Sequence, residues 1–252
     1  MGRRQPDPAV TTDSQPSGPL PIARQGPVEP RFARAVRGAA SSSATPFSTL
    51  MAIANAESGR RPGAVNGRSS AAGAFQFTEQ TWLELVHRHG QRLDAGDLAA
   101  QIAYRAGRYE AASPEWRDAI LRRRHDTTFA AHLAAAYCDE CRLTLSRFLG
   151  RQATEAEVLV AFLLGHRAAS RLITAAETRP DIPVSRLVPR ALAFNPELLT
   201  EHERPVTAHR ALALLTSRYA AEIAAAEGAA RPQPADVARR YSRAAGLGER
   251  GR

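Results

Sequence analysis

Between Thr45 and Glu227 the chain repeats one kind of punctuation: a small polar residue able to cap a helix, apolar residues at three- and four-residue spacing, and a glycine able to end it. Thr45 and Pro46 open the first such segment and Gly59 closes it. Thr78 opens the next, in which Trp82, Leu83 and Val86 share a face before Gly90; Ser113 and Pro114 start another carrying Trp116, Ile120 and Leu121. Asp126 begins a long helix on which Phe129, Leu133, Ala136 and Tyr137 recur, with Gly150 as its stop. Thr154 and Glu157 have the spacing of a capping box, followed by Val158, Ala161, Phe162 and a terminating Gly165. Two more helices are expected over 167–178 and 204–227. No run of strand length alternates apolar and polar residues, so the expected fold class is mostly α.

The flanks read differently. Residues 1–44 are rich in Pro, Gly, Ser and Arg and show no apolar periodicity, so they are expected to be a disordered tail. Residues 228–252, broken by Arg231, Pro232, Pro234 and several glycines, are expected to be a second one. A single domain over 45–200, with a helix over 201–227 packed on or beside it, accounts for the rest of the 252 residues. No stretch approaches the roughly 18 apolar residues of a membrane span, and the amino terminus shows no apolar core of a secretory signal.

A net charge of +9 raises nucleic-acid binding as a hypothesis. All 34 basic side chains are Arg, however, and they are scattered through an alanine-rich chain with no helix-turn-helix, zinc or base-stacking pattern. No nucleic-acid partner is therefore expected. The two cysteines, Cys138 and Cys141, fall mid-helix without a second ligand pair, which makes them small packing residues rather than a metal or redox site.

One residue breaks its own pattern. On the helical wheel Phe47, Leu50, Met51 and Ala54 share a face, and the next positions on that face are Glu57 and Ser58. A carboxyl group in the last turn of a helix, at a core-facing position, is disfavoured as an anion both by loss of water and by the negative end of the helix dipole. That is the setting of a general acid. Glycoside hydrolysis usually employs two carboxyl groups. Between Thr45 and Trp82 the only other acid is Glu79, which follows the Thr78 cap and suits the positive end of its helix.

The segment resembles the lytic transglycosylases of the soluble-lytic-transglycosylase (SLT) type, in the lysozyme-like superfamily. The matching residues are Glu57 and Ser58; Ser69, Ser70 and Ala71; Gly73 and Gln76; then Thr78, Thr81 and Trp82. The likeness runs from about Thr45 to Leu199, strong at its beginning and loose afterwards. It implies a lysozyme-like helical domain and a peptidoglycan lytic transglycosylase that cleaves the MurNAc–GlcNAc bond and leaves 1,6-anhydroMurNAc ends. A single glutamate acts as acid, then as base, and no metal or cofactor is used.

The implied site is Glu57 as catalytic residue, with Ser58 steadying its carboxyl or the substrate. Ser69, Ser70 and Gln76 are implied as glycan contacts, and Gly73 as the point where backbone approaches the saccharide. The family often places a Tyr or His within the helix matching 158–165. Here that stretch is wholly apolar, so Tyr137 is expected to take its place. The implied partners are peptidoglycan strands and an envelope assembly, and the implied location is the periplasm or cell envelope. The alternative is a weakly active or inactive peptidoglycan-binding or assembly protein that keeps the groove.

Overall fold

The computed structural model describes residues 30–230. Helix α2 (Phe47–Ser58) is its hub, with Thr49 through Ala54 buried on every side. A helix apolar all round belongs in the middle of a core, and the neighbours confirm that place. α1 (Pro30–Ser41) lies along α6 (Thr127–Leu149) and touches α2; α7 (Glu155–Leu164) and α8 (His166–Thr178) close another side. α12 (Ala208–Ala230) lies mainly against α2, with further contact to α8 and α7. The short helices α9 (Val184–Leu187), α10 (Pro189–Phe194) and α11 (Pro196–Leu199), with a small hairpin of β3 (Thr200–Glu201) and β4 (Arg204–Pro205), lead into α12.

The expected punctuation holds at most boundaries. Thr78 accepts from the Thr81 amide at the start of α3 (Glu79–His89), Ser113 from Trp116 at the start of α5 (Pro114–Arg122), and Asp126 from Phe129 at the start of α6. Thr154 and Glu157 form the reciprocal capping box of α7. Gly59 and Gly150 end α2 and α6 in the left-handed region, at φ 62° and 68°.

Thr45 departs from its expected role. Its hydroxyl donates across the core to Asp139 of α6 at 2.8 Å, and Pro46 itself caps α2 with no side-chain bond. The N-terminal boundary also moves. Residues 30–41 form α1 rather than tail, because Phe32, Val36 and Ala39 fall on one face and bury it. The remaining positions of both expected tails, 1–29 and 231–252, lie outside the described residues.

A hairpin also interrupts the helices. After α4 (Gly96–Ala100), β1 (Ile102–Arg105) pairs antiparallel with β2 (Arg108–Ala111) through a turn with positive φ at Ala106 and Gly107. Two consecutive positive-φ residues match the twist of a two-residue hairpin.

Candidate active site

Glu57 sits in the last turn of α2 and is 6% exposed. The turn is locked behind it: the Gly59 amide donates to Asn55 O at 2.9 Å and the Arg60 amide to Ala54 O at 2.9 Å. Burial of the carboxyl agrees with its core-facing place on the wheel. The residues that surround it come largely from the far end of the chain. Asn55 donates its side-chain amide to Glu222, and Arg218 reaches the Ala56 carbonyl at 3.4 Å, both from α12. Between them in sequence, Tyr219 is 1% exposed, and its phenol is pushed above the usual tyrosine range by burial and then by the negative charge of Glu57. A phenol so placed keeps its proton at neutral pH and can donate.

Tyr137, the expected partner, is elsewhere. It packs edge-on to Phe77 at 6.3 Å and against Phe162 at 5.4 Å. Burial and then Cys141 raise its phenol. α6 turns this tyrosine into the aromatic core, against the Phe162 ring of α7. The tyrosine beside Glu57 comes from α12, where Ala211, Leu215 and Tyr219 repeat every fourth residue on a buried stripe. That stripe, closing on a phenol with Glu222 less than a turn beyond, is the signal in the sequence that could have found it.

Ser58 is buried, and its hydroxyl lies 2.8 Å from Ala74 O and 3.2 Å from Ala54 O, while its oxygen accepts from the Arg61 amide at 3.0 Å. It therefore ties the end of α2 to the following loop. That loop, 62–77, is gathered by single bridges between Val65 and Ala72 and between Ala72 and Phe77. Phe75 and Phe77 enter the core as their alternation requires.

Gln76 does not point outward between them. It is 2% exposed with φ 49°, and its amide donates to Gly73 O at 2.9 Å, while its Oε1 has no partner among the described residues. The left-handed backbone at this one residue turns the side chain back into the loop. Gly73, with φ 81°, also has a structural reason: a Cβ there would meet the Arg124 carbonyl oxygen at 2.1 Å. The close approach is to the turn at 123–125.

Ser69 and Ser70 lie farther out and line a pocket of about 430 Å³ with Glu79, Arg117, Arg122, Arg124 and His125. A neighbouring pocket of about 600 Å³, bordered by β2 and α5, shares Glu79 and Arg117. Neither pocket is lined by Glu57. Ser69 and Ser70 are thus brought to one surface, whose lining does not include Glu57. Among the described residues no group of three His, Cys, Asp or Glu gathers as metal ligands would, and no helix is long and apolar enough to cross a membrane.

No curated protein matches the chain. Residues 34–109 match the family model described as the Transglycosylase SLT domain. The matched stretch begins in α1 and ends in β2, so it takes in Glu57, Ser58, the 62–77 loop and Thr78, while Tyr219 and the rest of α12 lie beyond it. The match spans less than half of the chain; over that stretch the chain is similar to the SLT transglycosylase domain, and its mostly helical architecture is the lysozyme-like one of that domain.

Proposed function

We propose that this protein cleaves the glycan of peptidoglycan as a lytic transglycosylase of the cell envelope. Glu57 first protonates the bridging oxygen between MurNAc and GlcNAc. It then takes the proton of the muramyl primary hydroxyl as that oxygen closes on the anomeric carbon. The bond to the leaving sugar breaks, the new internal ether forms, and the proton given up in the first step is regained in the second. The product end is 1,6-anhydroMurNAc.

The observation that carries this reading is the place of Glu57: last turn of the central helix, almost wholly out of water, inside the matched segment, and against a phenol that keeps its proton. Burial is how a carboxyl group is kept available as an acid near neutral pH. Nearby acids have other engagements. Glu79 is held through two bonds by Arg117, and Glu222 takes the Asn55 amide. One carboxyl group serving twice fits this arrangement better than an acid and a separate nucleophile.

The same burial favours a second reading. With α12 lying along α2 and Glu57 only 6% exposed, the alternative is a peptidoglycan-binding or assembly protein of weak or no activity. Incubation of the full chain with purified sacculi, followed by mass spectrometry of the soluble fragments, separates the two. Anhydro ends from the wild type and none from Glu57→Gln support the enzyme. Reducing ends alone would make it a hydrolase. Sedimentation with sacculi by both proteins, with no fragments from either, supports the binding protein.

A further inference from the structure

The pocket between the 65–72 loop and the end of α5 carries charges that do not cancel. Its two carboxylates are both met by one arginine: Glu79 receives Nε of Arg117 at 2.7 Å and a second bond from the same guanidinium, and Asp118 lies 3.6 Å from it. Two further guanidiniums remain. Arg124 bonds only to carbonyl oxygens, those of Leu121 at 3.2 Å, Phe77 at 3.3 Å and Ser70, and burial lowers its pKa. Among the described residues no bond occupies its Nη2. Arg122 is exposed and has no partner among the described residues.

The two serines point the same way chemically. Ser69 Oγ accepts from the Ala71 amide at 3.2 Å and Ser70 Oγ from the Glu79 amide at 3.1 Å, so both hydroxyl protons stay available to donate. His125 Nδ1 is 2.8 Å from the Pro62 carbonyl, which places its proton on that nitrogen and spends it there, so the ring adds no donor to the pocket. Donors without matching acceptors call for an anion. A planar carboxylate, with two oxygens that take paired N–H bonds, suits guanidinium groups best. A volume of about 430 Å³ holds more than a bare ion, so the carboxylate belongs to a larger ligand.

We propose that this pocket seats a carboxylate of the peptide that branches from the glycan. The anion preference rests on the pocket alone; naming the peptide as its source rests on the glycan-cleaving reading above. The probe is N-acetyl-D-alanyl-D-alanine, compared with its C-terminal amide by calorimetric titration of the full chain. The acid is expected to bind about tenfold or more tightly than the amide, as a charge-assisted pair would give. Arg122→Gln should abolish the preference and Arg122→Lys should restore part of it. Both variants should melt with the wild type, since Arg122 is exposed and makes no hydrogen bond or ion pair among the described residues.

Equal binding of acid and amide, or a preference that survives Arg122→Gln, overturns the proposal. Acetate binding as tightly as the dipeptide overturns the assignment to a peptide. The sacculus assay run in parallel separates the two ideas: cleavage with no carboxylate preference sinks the pocket and spares the enzyme, and a preference with no cleavage does the reverse.

Discussion

Gly73→Ala tests whether the loop after Glu57 is held by its fit to the turn at 123–125 or is shaped for a ligand. An alanine at φ 81° carries the steric penalty of the left-handed region, about 1–2 kcal/mol. Its Cβ would also lie 2.1 Å from the Arg124 carbonyl oxygen and 2.9 Å from the carbonyl carbon, both backbone atoms that no rotamer change can move. The turn must retreat by roughly an ångström to reach ordinary contact. That motion strains the His125 bond to Pro62 O and the Arg124 bond to Phe77 O, each worth about 1 kcal/mol. The expected loss is about 2–4 kcal/mol, or a fall in thermal midpoint of roughly 5–15 °C for a domain of this size. Urea denaturation followed by circular dichroism measures the first and a thermal scan the second. A variant within about 0.5 kcal/mol of wild type would refute the packing argument, because that is the range of an inert surface change. If the same variant then failed to bind glycan, close approach of a saccharide would be the better account of this glycine.

Two further perturbations probe the site and its support. Tyr219→Phe removes the phenol beside Glu57 and keeps the ring, so cleavage of sacculi is expected to fall by about tenfold or more while stability drops by about 1 kcal/mol; unchanged turnover would place this phenol outside the chemistry. Glu140 of α6 is held below the ordinary carboxylate value of 4.5, against the opposing effect of burial, by His89 and by Arg88, whose Nη2 lies 2.6 Å away. Its folded pKa lies below its unfolded one, so its contribution is present above about pH 4.5 and is lost as pH falls through the folded value. Glu84, in the same cluster and raised by burial, acts with the opposite sign and offsets part of this. Glu140→Gln should therefore be less stable than wild type near neutral pH and lose less on acidification, and parallel urea midpoints for the two proteins from about pH 6 to 3 would contradict the assignment.

Helix boundaries were legible in this chain because caps and stops act locally. Thr78, Ser113, Asp126 and Thr154 each bond to an amide three residues on, so the sequence window contains both partners. Thr45 looked the same but found Asp139, a partner 94 positions away, which no local pattern displays. The β1–β2 hairpin was hidden by strands only four residues long, too short for alternation to register. α1 was obscured by its neighbours in sequence: Phe32, Val36 and Ala39 have helical spacing, but Pro, Gly and Ser dominate the flanking composition. Glu57 was legible as a core-facing carboxyl group because it conflicts with its own pattern, and as a candidate acid through the resemblance around it. Tyr219 gave no such signal, because a tyrosine on an apolar stripe conflicts with nothing.

That asymmetry bears on how the site is assembled. The matched segment supplies the carboxyl group, the locked helix end and the loop pinned by Ser58, whereas the polar groups that meet the last turns of α2 from the other side are on α12, beyond the match. A carboxylate taken almost out of water needs compensating donors if it is to ionise during the reaction, since an uncompensated buried charge costs several kcal/mol. A phenol kept protonated by burial can be such a donor, and the packing of α12 on α2 brings Tyr219 within electrostatic influence of Glu57. In the proposed cycle the acid step needs a neutral carboxyl group, which burial on α2 would favour, and the base step begins from the anion, which donors on α12 would support. The two halves of the proposed single-glutamate cycle would thus draw on segments about 160 positions apart in the chain, joined by the packing of α12 on α2.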